Sequence, residues 1–291
     1  MLDGIIIRAY NSFYYVQTAD RVIMCTLRGR FKKERFSLLV GDQVEYEMTG
    51  EGKGIIEKIL PRRSMLRRPM IANIDQVILT FAAVNPNINP ILVDRFLVMA
   101  EMSALEIILC INKIDLANRD ELDKLVEHYR KIGYQVLTLS AKAGTGIDEL
   151  RDQLYGKISV FAGPSGAGKS TILNHIEPGL TLVTGEVSEK IGRGKHTTRF
   201  AELLPLSGGG FVVDTPGFSF TEFNDLKQTE LMYYFPEIAE RVSECKFNTC
   251  IHSREPQCAV KQAVAAGMID EQRYNSYLGI LGEIIANKKE Y

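Results

Sequence analysis

A chain of 291 residues is long enough for a full hydrophobic core and, by length alone, for about two domains. Its 45% apolar and 24% charged residues exclude a disordered or collagen-like chain, and no apolar run nears the roughly 20 residues of a membrane span. A formal net charge of −1 excludes the global basic footprint of a dedicated nucleic-acid binder, yet residues 1–70 carry 13 Lys/Arg against 8 Asp/Glu while the remainder is acidic. An anionic partner is therefore expected at the N-terminal end. The start, MLDGIIIRAY, predicts no secretory leader, because an acid precedes a short apolar run. Three of the five cysteines fall between Cys245 and Cys258, which fits metal binding in a reducing cytoplasm better than a disulfide scaffold.

In chain order, residues 1–60 predict short strands: GIIIRAY, YYVQTA, VIMCTLR, QVEYEM and GIIEKIL are β-branched or aromatic runs between Gly, Asp and Asn turns. Five strands in so short a span suggest a small barrel of the OB type. Its middle is basic, with Arg28, Arg30, Lys32, Lys33 and Arg35 opposed by Glu34 alone. Pro61 to Arg68 adds Arg62, Arg63, Arg67 and Arg68 and reads as a linker. Beyond it the texture changes. Residues 76–84, 106–112, 134–140, 158–163 and 211–217 are nearly continuous apolar runs, as in strands buried on both faces of a parallel sheet. Amphipathic segments at 90–103, 119–132 and 146–155 lie between the first four, which predicts an α/β sandwich. From about 222 the pattern turns helical, at 225–235, 256–266 and 270–288. The expected division is a barrel over 1–62, an α/β domain over 63–221 and a small helical domain over 222–291.

Gly163, Pro164, Ser165, Gly166, Ala167, Gly168, Lys169 and Ser170 follow a predicted strand and open a predicted helix, the full P-loop pattern in the context it requires. Backbone N–H groups of such a loop face phosphates, Lys169 reaches the β- and γ-phosphates and serves catalysis, Ser170 ligates Mg²⁺, and Thr171 completes the phosphate-binding set. Asn112, Lys113, Ile114 and Asp115 end another buried strand, where α/β sheets bind ligands. The Asp115 carboxylate matches guanine N1–H and the N2 amino group. Adenine would leave that acceptor unpaired, so GTP is favoured over ATP. Ser140, Ala141 and Lys142 end the next strand, where such a triplet offers a backbone N–H to guanine O6.

Asp214, Thr215, Pro216 and Gly217 end the strand GFVV; Asp214 is expected at Mg²⁺ and the Gly217 N–H at the γ-phosphate. The polar segment 184–199 reads as a switch loop. One of Thr197 and Thr198, with Thr198 preferred, is expected to complete the Mg²⁺ shell. Phe218 stands where many GTPases carry a water-orienting glutamine. His196, beside the two threonines, is the candidate for that catalytic role. Farther on, Cys245-x4-Cys250-x-His252-x5-Cys258 offers the soft donors of a closed tetrahedral site for one structural Zn²⁺. Cys25 and Cys110, inside apolar runs, read as core residues.

The motif order is rotated: the guanine-reading motifs precede the P-loop, as a circular permutation would leave them. Permuted motifs, an N-terminal barrel and a cysteine-rich C-terminus together resemble the RsgA (YjeQ/YloQ) family of GTPases dependent on the small ribosomal subunit, over essentially the whole chain. The resemblance implies a late assembly factor that binds the 30S subunit and its 16S rRNA, is activated there to hydrolyse GTP to GDP, and works as a cytoplasmic monomer without a membrane. The competing class is an RNA-binding chaperone whose nucleotide site merely reports occupancy, which turnover stimulated by 30S would decide against. A third reading, a metabolic P-loop phosphotransferase, is opposed by the Asn112-Lys113-Ile114-Asp115 motif and the barrel.

Overall fold

The computed structural model describes residues 1–29, 38–67, 70–180, 201–214, 223 and 226–287. Among these, no helix is long and apolar enough to cross a membrane. The chain divides into two compact units. One comprises Met1–Ile78, Leu139–Ala162 and Gly168–Phe218; the other comprises Leu79–Thr138, Gly163–Ala167 and Ser219–Tyr291.

The first unit opens on a closed barrel of β1 (Leu2–Tyr10), β2 (Phe13–Gln17), β3 (Val22–Leu27), β4 (Gln43–Gly50) and β5 (Lys53–Ile59), in the order β1-β2-β3-β5-β4. All pairings are antiparallel except β3 with β5, and β1 closes the ring on β4. Alternate residues point inward, as the period of a strand requires. Ile6, Val16, Ile23, Cys25, Val44, Tyr46 and Ile56 thereby form a core of their own. The expected five-stranded barrel is present, and Cys25 is a core residue.

The segment read as a linker is not one. β6 (Met65–Arg67) pairs antiparallel with β7 (Met70–Ala72), because Leu66, Ile71 and Ala72 are apolar and bury. Ile71 also bridges Val40. Gly41, at φ 89°, lies so close to this hairpin that a Cβ would run into the Ala72 carbonyl. Beneath it the fully buried Asp42 accepts from Arg62 Nε (2.6 Å) and Nη2 (2.8 Å) and from the Leu39 N–H (2.8 Å). Arg63 pairs with Asp75 at 2.9 Å, and Arg28 with the buried Glu57 at 2.6 Å. Three arginines that the sequence offered as free positive charge therefore neutralise carboxylates of the fold.

The α/β part is a six-stranded sheet in the order β10-β9-β8-β11-β13-β12. β8 (Gln76–Ala82) contributes its first three residues to the first unit and the rest to the second. In the first unit β11 (Ile158–Ala162) runs parallel to β13 (Phe211–Asp214), and β12 (Glu202–Pro205) is antiparallel to β13. In the second, β9 (Glu106–Asn112) and β10 (Gln135–Thr138) are parallel. All residues of β8 and β11 are buried, as their unbroken apolar runs anticipated; the antiparallel edge strand β12 was not anticipated. The helices are α1 (Pro90–Glu101), α2 (Arg119–Ile132), α3 (Ile147–Leu154) and α4 (Lys169–Ile176). α1 starts on the Asn89 side chain, which caps Ile91 and Leu92, followed by proline at the first helical position. α2 runs from an Asn118 cap to a left-handed Gly133.

The C-terminal region packs α5 (Pro236–Ala239), α6 (Ala259–Ala265) and α7 (Glu271–Asn287) around Phe235, Ile238, Val260, Tyr277, Ile280 and Ile284, with Val98 of α1 in the same core. The helix expected over 225–235 is broken. A single 3-10 turn, Leu231–Tyr234, ends at an extended Phe235 because Pro236 follows and starts α5.

Candidate nucleotide and metal sites

In the second unit β9 delivers Asn112 to its carboxyl end, fully buried. Its Nδ2 donates to the Ala167 carbonyl of the P-loop (2.9 Å) and its Oδ1 accepts from the Lys113 N–H (2.8 Å). Lys113 takes a left-handed φ of 63°, which turns the chain into the short 3-10 turn Ile114–Leu116, and its Nζ donates to the Asn85 carbonyl. The first two residues of the motif thus hold loops in place, and Asp115 in that turn is exposed to solvent. The P-loop enters from β11 through Gly163 at φ 138°, where a Cβ would strike the Thr80 carbonyl of β8; only glycine fits. Gly166 takes φ 78°, and a Cβ there would lie 3.4 Å from Pro86 Cδ. Pro164 is half-buried, Ser165 is exposed and Ala167 is buried.

Asn85 and Pro86 escaped the sequence reading. Their signal was available, since Asn85-Pro86 sits just past the carboxyl end of a wholly buried strand, where loops of α/β sheets meet ligands.

In the first unit the same loop continues into α4. Gly168, at φ 93°, caps the helix and accepts from the Ile172 N–H (3.0 Å). Burial holds the Lys169 ammonium below its ordinary pKa, the penalty a neighbouring phosphate would offset. Ser170 is half-buried and Thr171 exposed. Ser140 is buried; its N–H donates to the Thr145 carbonyl (3.0 Å) and its Oγ accepts from the Ala143 N–H (3.2 Å), a tight turn that keeps Ala141 buried and Lys142 exposed. Asp214 is the last residue of β13. His196, Thr197, Thr198, Gly217 and Phe218 lie outside the described residues, as do Arg30, Lys32, Lys33, Arg35 and Arg68.

The cysteine cluster assembles as its spacing predicted. The ligand atoms of Cys245, Cys250, His252 and Cys258 all lie within 4.8 Å of one another, so the cluster can hold a metal ion. Cys245 Sγ is 3.4 Å from His252 Nδ1 and 3.9 Å from Cys258 Sγ, and His252 Nδ1 is 3.4 Å from Cys258 Sγ. A tetrahedral ion with bonds of about 2.3 Å to sulfur and 2.0–2.1 Å to nitrogen needs ligand separations of roughly 3.5 to 3.8 Å, close to those among Cys245, His252 and Cys258, with Cys250 within 4.8 Å of each. Burial pushes the Cys250 thiol up to about 12, raises Cys258 and lowers His252, each against its charged form; a bound cation would reverse the cost for the thiols. Tyr274 and Tyr277 donate to the carbonyls of His252 and Ile251, both at 2.7 Å, and fix the chain around the ligands.

Two family models match. The RsgA N-terminal domain covers residues 3–56 and the RsgA GTPase covers residues 59–224. This chain belongs to the RsgA GTPase family. It is a GTP-hydrolysing enzyme whose motifs stand in circularly permuted order. The small ribosomal subunit biogenesis GTPase RsgA of Caldanaerobacter subterraneus is 48% identical over 99% of this chain and 97% of its own. The crystal structure of YjeQ from Thermotoga maritima superposes with a TM-score of 0.86 at 41% identity over 98% of both chains. That of YloQ, a circularly permuted GTPase, gives 0.84 at 40% identity over 98% of this chain and 96% of its own.

Proposed function

We propose that this GTPase acts late in assembly of the small ribosomal subunit: it binds the 30S particle and its 16S rRNA, is activated there, and leaves after hydrolysis. The observation that carries the guanine reading is the division of labour at the end of β9. Asn112 and Lys113 brace the P-loop and the Asn85 carbonyl, and Asp115 is left at the surface as the acceptor for guanine N1–H and the N2 amino group. The ribosomal reading is supported by the relatives' names and the full-length identity.

In this reading Ser140, Ala141 and Lys142 line the base. Gly163 to Gly168 and Thr171 hold phosphates, and Lys169 offsets the charge that develops on the transferred group. Ser170, Asp214 and Thr198 would hold Mg²⁺, which supplies charge neutralisation at the phosphates, and the Gly217 N–H meets the γ-phosphate. His196 takes the place of the glutamine absent at Phe218 and orients the attacking water. The ion at Cys245, Cys250, His252 and Cys258 is Zn²⁺ in a structural role, because four protein donors leave no open position. The working division is a barrel over 1–62 that meets RNA, a GTPase domain over 63–221 and a zinc-bound helical domain over 222–291, in a cytoplasmic monomer. With Arg28, Arg62 and Arg63 paired internally, the phosphate-facing charge of the barrel falls on its other basic residues.

The test is turnover of GTP and of ATP with and without purified 30S subunits. GTP hydrolysis stimulated by 30S, with ATP inert, is the expected result; nucleotide and 30S binding without stimulated hydrolysis would overturn the activation reading. A His196→Ala variant is expected to bind GTP normally and lose the stimulated rate, and an unchanged rate would remove His196 from the mechanism. Affinity for 30S is expected to fall steeply with added salt, since each neutralised phosphate releases counterions.

A further inference from the structure

α2 begins four residues after Asp115, so its pose sets where the guanine acceptor stands. Its sequence is strongly polar, and only two of its side chains, Val126 and Tyr129, are buried. The Tyr129 hydroxyl donates to Asp94 Oδ1 of α1 at 3.0 Å. Burial, and then the Asp94 carboxylate, hold that hydroxyl far above its ordinary pKa, so it stays a neutral donor. Asp94 is itself fully buried, and the charge that balances it comes from the C-terminal region. Arg273 of α7 donates from Nη1 to Asp94 Oδ1 (2.8 Å), and Gln272 Nε2 donates to Asp94 Oδ2 (3.0 Å). Arg273 has no exposed surface. Its Nε and Nη2 donate to Glu237 of α5 (2.7 and 3.2 Å), and its guanidinium lies 4.5 Å over the Phe235 ring. A second tie runs alongside, with His128 of α2 3.8 Å from Asp270 at the start of α7.

The same carboxylate fixes the other loop at the guanine side. Asp94 sits one turn into α1, which begins just past Asn85 and Pro86. The Asn85 carbonyl accepts from Lys113 Nζ, and Pro86 Cδ lies 3.4 Å from where a Gly166 Cβ would stand. Both helices whose N-terminal ends carry nucleotide-side loops therefore converge on one arginine of the cysteine-bearing region. All these residues belong to a single compact unit.

We propose that the buried Asp94 network, in which Arg273 and Gln272 of α7 and Tyr129 of α2 meet one carboxylate, positions the helix that follows Asp115 for guanine recognition. From Tyr129 back to Asn118 is eleven residues of helix, about 16 Å, so a small tilt at Tyr129 is carried to the turn that holds Asp115. A carboxylate that must meet two donors of one base tolerates little displacement. By linkage, the guanine base would also favour the docked arrangement of α7. The proposal rests on the reading of Asp115 as the guanine acceptor.

The experiment compares GDP with IDP, whose base keeps N1–H and lacks the N2 amino group, so their affinity ratio reports on the second hydrogen bond to Asp115. Dissociation constants for both come from displacement of fluorescent GDP, with bound zinc and thermal melting measured on each protein. Removing one donor from Asp94 disturbs a bond of about 0.5–1.5 kcal/mol, roughly two- to tenfold. Tyr129→Phe is expected to shrink the GDP:IDP ratio by about threefold while zinc content and a cooperative melt persist. Gln272→Met, which reaches the same carboxylate from a half-buried position on α7, is expected to shift the ratio the same way and serves if the first variant folds poorly. A ratio equal to the parent's in a folded, zinc-replete variant would show that the network is a structural brace only and overturn the proposal, whatever the change in melting temperature. The parent and Asp115→Asn separate the two layers. A parent that binds GDP and IDP equally, with Asp115→Asn making no difference, would instead overturn the Asp115 reading.

Discussion

The metal cluster and the guanine-side corner are each written as a four-residue signature, but the chain builds them in opposite ways. Cys245, Cys250, His252 and Cys258 span fourteen residues of mostly irregular chain, with a left-handed His252 (φ 55°) between them. Little regular structure holds that segment, so the ion is expected to hold it. Asn112, Lys113 and Asp115 leave a buried strand, and the partners of the first two, Ala167 and Asn85, come from positions 55 and 28 residues away, after β11 and β8. There the strands and the hydrogen bonds between loops hold the residues in place without a ligand. A ligand-dependent site and a scaffold-dependent site should fail differently.

The largest effect is expected at the first. Structural zinc binds zinc-finger peptides with an apparent free energy of about 10–16 kcal/mol, which is also their folding energy. Cys258→Ser, or chelation, should lower zinc content toward zero and open the chain around 245–258 to protease. Retained protection without zinc would show that the apolar core around Tyr277 suffices. At the P-loop, Lys169→Ala should cost at least about a hundredfold in GTP turnover, about 3 kcal/mol, while its melting temperature stays close to the parent's. A smaller loss would place the phosphate charge elsewhere.

The barrel supplies a third contrast. Removing Arg62 leaves the fully buried Asp42 without its partner, a change of about 3 kcal/mol or more in stability. Arg62→Met should therefore lower the melting temperature clearly, and any loss of 30S affinity should follow from that. Unchanged stability with weaker 30S binding would restore Arg62 to the RNA-contact role its sequence context suggested.

What could be read in advance follows the same division. β9, α2 and the barrel strands stand close to where periodicity put them, because each carries an apolar face of the right period and a clear cap or turn. The metal ligands were legible because their chemistry and spacing are local. The pairings of Arg28 with Glu57, Arg62 with Asp42 and Arg273 with Asp94 and Glu237 were not. A linear run shows charge and cannot show which carboxylate the fold will bury beside it. The β6–β7 hairpin was hidden for a related reason, since four arginines around Leu66 masked a residue that buries. The kink at Phe235 could have been found, because Pro236 announces it.

In the proposed site Asp115 reads guanine while Asn112 and Lys113 hold the loops. The direct measurement is the affinity of Asp115→Asn for GTP and for XTP, whose base presents an oxygen where guanine presents its amino group. On this reading GTP binding weakens by roughly ten- to a hundredfold, XTP binding improves to meet or exceed it, and the melting temperature stays put. Undiminished GTP affinity with no gain for XTP would contradict it.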